Sequence, residues 1–210
     1  MIRAYDESYL RRAQMSLGNS LDYAVNTLCI PLEEYYTVFV QSEVAARFEN
    51  GDPFIILGHS GIELALLVWE RYTGLDGYIE KHPSRGKTRE YWVGWALAYY
   101  QWYTTYPFSD IEQKTPVKKV SEMYDKYHEM EITHFVDRLN ELRMRGRAAT
   151  YLKELRQAIG YSQSELSKAT DIPLKTLQHY EQGTKSLAKA NATYVIRLAR
   201  ALRCKPEQLL

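Results

Sequence analysis

The chain has 210 residues, enough for one large domain or two modest ones. Hydrophobic residues make up 45% and charged residues 25%, with 11 Gly and 7 Pro, which excludes a disordered or collagen-like chain. The net charge of +1 is unevenly spread: residues 147–210 carry eleven Lys and Arg against five Asp and Glu, whereas residues 1–146 carry sixteen against twenty-one. No apolar run approaches the ~20 residues of a membrane span, so no membrane partner is expected. The opening stretch MIRAYDESYLRRAQ has no apolar signal core. Cys29 and Cys204 lie far apart and have no metal-ligand spacing, so a reduced, cytoplasmic setting is the plain expectation.

In chain order the periodicity is helical. Asp6 can cap a helix that turns Leu10, Leu17, Leu21 and Val25 inward. Pro31 fits the first position of a second helix, with Leu32, Tyr36, Phe39, Val40 and Val44 on one side and Gly51 past its end. Phe54–Leu57 reads as a possible short strand, without an obvious partner. Ser60 and Glu63 have the spacing of a capping box ahead of Leu64, Leu66, Leu67 and Trp69. Thr88 can cap a long helix through Tyr106. In it Trp92, Trp95, Tyr99, Trp102 and Tyr106 recur at intervals of 3, 4, 3 and 4, forming a seam along one face. Such a seam is either a core face or a partner surface, since Trp and Tyr dominate binding hot spots. Shorter helices are expected near 109–114, 117–127 and 131–145.

Residues 1–146 therefore read as an all-α domain for partner binding or sensing. Gly146 can end a helix where the charge balance changes sign, and 147–210 form a second, basic domain. A basic domain beside an acidic one hints at phosphate binding. The linker is short, so the two domains either touch or share a nearly continuous helix.

The second domain reads as five helices. Tyr151–Ile159 turns Leu152, Leu155 and Ile159 inward and stops at Gly160. Ser162 caps Gln163–Ala169 around Leu166. A turn through Asp171, Ile172 and Pro173 leads to Leu174–Gln182, with Leu177 and Tyr180 inward and Gly183 as the stop. A fourth helix spans about Ala190–Leu202, with Tyr194, Val195, Leu198, Ala199 and Leu202 inward, before a short turn Pro206–Leu210. Two helices of about eight residues joined by a tight turn cannot stand alone in water and need the other three as a scaffold. Their spacing is that of a helix-turn-helix, whose second helix enters the major groove.

These residues resemble the Cro/phage-repressor (XRE) family. The matching text is Leu155-Arg156, then Ser162-Gln163, Glu165-Leu166-Ser167, Ile172-Pro173, Leu177, Tyr180-Glu181-Gln182-Gly183 and finally Leu198-Ala199 with Ala201-Leu202. Asp171 stands where the family usually has Gly, and Asp also tolerates a left-handed backbone. The resemblance implies a five-helix, lambda-repressor-like DNA-binding domain and a sequence-specific repressor. It implies base contacts by Leu174, Lys175, Gln178 and His179. Lys175 can reach guanine O6/N7, Gln178 can bridge adenine N6/N7 and Leu174 can meet a thymine methyl. It implies phosphate contacts by Gln163, at a helix amino end that favours anions, and by Thr176, Lys185 and Lys189. Arg156 and Glu181 match a structural pair joining the first and third helices of the domain. The family's operators are two-fold symmetric, so a homodimer on a double-stranded DNA operator is expected, with its contact in Leu209 and Leu210 or in the first domain.

Motifs for catalysis fail on spacing. His128-Glu129 and His134 imitate a zinc-protease helix, but the second His is six positions on instead of four. Gly86-Lys87-Thr88 imitates the end of a P-loop, but Lys81 stands where Gly is required. Gly58-His59-Ser60-Gly61 is not a nucleophile elbow, because Ile62 replaces the last Gly. No enzyme activity, metal or cofactor is expected. The sharpest reading is an autoregulating antitoxin that holds a basic toxin through its acidic, aromatic first domain. The alternatives are a repressor that senses a small ligand, or an uncharacterised enzyme tethered to DNA.

Overall fold

The computed structural model describes residues 3–73 and 88–210, apart from the side chain of Arg147. Its elements are all helical, as the periodicity predicts, and no strand occurs among the described residues. The chain splits into two compact units, Met1–Asp137 and Arg138–Leu210. The division lies nine residues before the position 146/147 at which the charge balance changes.

In the first unit Asp6 caps α1 (Glu7–Asn26), its carboxylate accepting from the Ser8 N–H at 2.8 Å. Leu17 and Leu21 are fully buried, whereas Leu10 and Val25 are half-buried and Tyr23 takes the inward place. The helix expected from Pro31 through Val44 is two helices, α2 (Leu32–Gln41) and α3 (Glu43–Glu49), and Pro31 stands just before the first. Ser42 makes the break. It is extended, its hydroxyl donates to Phe39 O at 2.6 Å and accepts from the Ala45 N–H at 3.2 Å, so it closes one helix and caps the next. The expected strand Phe54–Leu57 is instead the short helix α4 (Pro53–Ile56), with Asp52 as its cap and Pro53 in the first turn. A four-residue apolar run has no helical or strand period of its own, so the cap and the proline decide.

α5 (Gly61–Thr73) carries the expected capping box: the Ser60 N–H donates to Glu63 at 2.8 Å and the Glu63 N–H to Ser60 Oγ at 3.2 Å. Thr88 caps α6 (Arg89–Thr104) and also donates its hydroxyl to the buried carboxylate of Asp22. Lys81, Gly86 and Lys87 of the P-loop imitation lie outside the described residues. α7 (Phe108–Lys114), α8 (Val117–Glu122) and α9 (Tyr124–Tyr127) follow. Glu49 accepts from the Phe108 N–H at 2.5 Å and Glu112 from the Val117 N–H at 2.7 Å, so carboxylates complete the amino ends of α7 and α8. Phe39, Phe48 and Phe108 meet with ring centroids 5.2 to 6.4 Å apart at the centre of this core.

The aromatic seam of α6 is divided between core and surface. Trp92 is 8% exposed and Trp102 5%, which removes both from the expected partner surface. Trp92 packs edge-on against Tyr124 and Phe135, and the Trp102 indole N–H donates to Tyr5 O at 2.8 Å. Trp95 and Tyr99 are half-buried, and Tyr106 is exposed beyond the helix end. On another face, at Gly94, α6 crosses α1 at almost backbone contact. A Cβ at Gly94 would stand 2.5 Å from Leu17 O and 2.9 Å from Gly18 Cα.

α10 (Ile132–Ile159) runs straight through Gly146, the residue expected to end a helix. A single interior Gly costs a helix only about 1 kcal/mol relative to Ala, and its neighbours Leu142, Arg143, Met144, Arg145, Ala148 and Ala149 are helix formers. The stop comes at Gly160, whose φ of +86° is left-handed.

Gly94→Ala should destabilise the first unit by about 1–3 kcal/mol, because the added methyl meets backbone atoms that cannot rotate away. Thermal melts of the full chain check this. An unchanged first transition would mean that α1 and α6 are not in close contact.

Candidate nucleic-acid interface

The second unit is built on the carboxyl-terminal part of α10, α11 (Gln163–Thr170), α12 (Leu174–Glu181), a 3-10 turn Leu187–Lys189, α13 (Ala192–Ala201) and a second turn Pro206–Leu209. Leu152, Leu166, Ile172, Leu177, Tyr180, Val195, Leu198, Ala199, Leu202 and Leu209 form its core. These are nearly all the residues that the period predicts. Three differ: Ile159 lies near the exposed end of α10 instead of inside, and Leu155 and Tyr194 pack against the core while only half-buried. Leu209 is fully buried in its own unit, so it offers no surface to a second copy, and only Leu210 of that pair is exposed.

α11 starts at a complete capping box. The Ser162 N–H donates to Glu165 at 2.7 Å and the Glu165 N–H to Ser162 Oγ at 3.2 Å. The corner after it turns on Asp171, at φ 52° and ψ 39°, the left-handed conformation expected where the family has Gly. Arg197 of α13 holds the corner. Its guanidinium bonds Asp171 Oδ2 at 3.0 Å and Thr170 O at 3.3 Å. Ser167 Oγ donates to Ile172 O at 2.6 Å and secures the other side of the turn. α12 then begins after Pro173, which makes no side-chain cap.

The two sides of α12 differ sharply. Leu177, Tyr180 and Glu181 are buried, while Leu174 and Lys175 are exposed and Thr176, Gln178 and His179 are half-buried. Positions 174, 175, 178 and 179 are spaced three and four apart, so they form one contiguous outward face. The sequence-read base set is thereby brought together. A Thr184 hydroxyl orients His179: it donates to His179 O at 3.1 Å and lies 2.8 Å from Nδ1.

Behind this face lies a buried ion pair. Arg156 Nε and Nη2 donate to the two oxygens of Glu181 at 2.6 and 3.0 Å, and the two side chains are 9% and 1% exposed. Arg156 Nη1 donates to Tyr161 O at 2.7 Å, so the guanidinium also fixes the end of α10. Gln163 donates its amide to Glu181 Oε2 at 2.7 Å and lies 3.5 Å from the Gln178 amide. The pairing of Arg156 with Glu181 is as the sequence predicts. The position of Gln163 is new: it links that pair to the outward face at Gln178.

The phosphate candidates divide. Lys185 is exposed beside the end of α12, where its N–H donates to His179 O at 3.1 Å. Lys189 pairs with Glu141 at 3.0 Å, a partner 48 residues away that no local pattern in the sequence signals. In the first unit, His128 bonds Tyr124 O at 2.8 Å and His134 is exposed, and no group of three His, Cys, Asp or Glu among the described residues could hold a metal ion. No described helix is long and apolar enough to cross a membrane.

Residues 152–209 match the helix-turn-helix family model, of the Cro/phage-repressor (XRE) type. No curated protein and no solved structure matches the chain. The match supports a DNA-binding transcription regulator acting on double-stranded DNA.

Arg156→Ala should cost the second unit about 3 kcal/mol, because it leaves the Glu181 carboxylate buried without its partner. Thermal melts check this, with Arg200→Ala, an exposed α13 residue, as the comparison. Equal midpoints for the two variants would show the pair to be peripheral.

Proposed function

We propose that the protein is a sequence-specific repressor that reads a two-fold operator as a homodimer. The observation that carries this reading is the outward face of α12, held in place by a buried ion pair. Leu174, Lys175, Gln178 and His179 supply the base contacts. The exposed ammonium of Lys175 suits guanine O6/N7, and the Gln178 amide suits adenine N6/N7. The His179 ring, held by Thr184, adds a hydrogen-bonding group at the base edges. The amino end of α11 at Gln163, with Thr176, Lys185 and Lys189, supplies contacts to the flanking phosphates. The protein acts by occupying DNA and needs no catalysis.

The first unit serves a partner. Residues 1–146 carry sixteen Lys and Arg against twenty-one Asp and Glu, a balance that disfavours DNA and steers a basic protein towards it. With Trp92 and Trp102 in the core, the remaining apolar anchors are exposed rings such as Phe54 and Tyr106. A basic toxin is the partner that this charge suits, and the chain is then an antitoxin that represses its own operon.

Lys175→Ala and Gln178→Ala should each reduce discrimination at one base pair by about 1–3 kcal/mol while leaving the melting temperature unchanged. Mobility shifts on duplexes selected from a random library measure this. Unaltered base preference in both variants would assign recognition to another helix. The antitoxin reading predicts that the full chain purifies from its host with a basic protein encoded beside its gene. A small molecule bound in that protein's place would make the chain a ligand-sensing repressor.

A further inference from the structure

We propose that Arg138, Arg145 and Lys189, gathered on Glu141, form a second binding site for a DNA backbone phosphate, outside the helix-turn-helix. The inference rests on α12 being the helix that faces DNA.

Glu141 receives three cations. Arg138 Nη1 lies 2.8 Å from Oε2, Arg145 Nη2 2.5 Å from Oε1 and Lys189 Nζ 3.0 Å from Oε1. One carboxylate neutralises one of them, so the group keeps two positive charges. The three hydrogen bonds hold the Glu141 carboxyl down to about 2, so the carboxylate stays ionised and the charge of the cluster does not change near neutrality. The cations retain donor capacity. Lys189 is 72% exposed, and the Arg138 side chain keeps a third of its surface open to solvent. Guanidinium forks and an ammonium are the groups that bind a phosphate best.

The cluster is also placed to meet a strand leaving the groove. Lys185 is fixed against His179 O, and a Cβ at Gly183 would stand 3.6 Å from Ala149 Cβ and 3.8 Å from Arg145 O. Residues 183–189 thus leave the carboxyl end of α12 and run beside α10 to Glu141. His179, Lys185 and the Glu141 cluster follow one another along this path. A backbone that enters under α12 meets Lys185 first and the arginines of α10 next. These arginines precede residues 152–209, so a DNA contact by α10 extends the footprint beyond the matched region.

Salt dependence separates a phosphate contact from a purely structural ion pair. The affinity of the full chain for its selected duplex is measured across salt concentrations for wild type, Arg138→Gln with Arg145→Gln, which spares the Lys189 contact already assigned, and Lys118→Gln as a single charge change in the first unit. The double variant should lower the slope of log affinity against log salt by about 0.9 for each phosphate that it no longer neutralises. It should bind several-fold more weakly near 0.1 M salt, with base preference and melting temperature unchanged. Lys118→Gln should leave the slope as in wild type. A double variant with the wild-type slope, or a Lys118→Gln slope that falls equally, would overturn the phosphate site and leave the reading of α12 standing. Failure of the wild-type chain to bind any duplex would overturn both.

Discussion

The second unit depends on one buried charge pair. A guanidinium and a carboxylate removed from water are tolerable only when each meets the other at hydrogen-bond distance and their remaining donors are used. Arg156 and Glu181 satisfy that condition through two mutual bonds and through Tyr161 O and Gln163. The consequence is geometric. Glu181 lies at the end of α12, Arg156 near the end of α10 and Gln163 at the start of α11, so one network fixes the rotation of α12 about its axis. That rotation decides which four side chains point outward.

The other end of α12 is held by different physics. Pro173 gives it no side-chain cap, so the angle between α11 and α12 is set by the left-handed corner at Asp171. Arg197 ties that corner to α13, and Ile172 anchors it in the core. A short helix of marginal intrinsic stability is thus pinned at both ends and buried along one side. It can present polar groups to a ligand without rearranging, which limits the cost of ordering them on binding.

The helix-turn-helix is legible in the sequence because its signals are local. Capping residues, a left-handed corner and helical periods all act within a few positions, and Ser162, Asp171 and Gly160 behave as their chemistry predicts. Arg156 and Glu181 lie 25 residues apart, and their pairing is visible in the sequence only through the family resemblance. Arg197 and Glu141 carry no such signal, since nothing near either residue in sequence names its partner. In the first unit the caps at Asp6, Ser60 and Thr88 are legible. The two faces of α6 are not, because aromatic residues serve core and surface alike. Trp92 is buried by Tyr124 and Phe135, and Trp102 bonds Tyr5 O, partners far away in sequence, so the division is a tertiary fact. Gly146 misleads for the opposite reason: a glycine can stop a helix, but here nothing else stops it until Gly160.

The central claim of the proposed function is that α12 meets DNA, with the start of α11 and residues 184–189 beside it. Amide chemical-shift mapping of the full chain, titrated with its selected duplex, tests this most directly. The largest changes should fall on residues 162–164, 174–179 and 184–189, with the buried Arg156–Glu181 signals retained. Changes concentrated on α13, or in residues 3–73, with α12 unaffected, would contradict it.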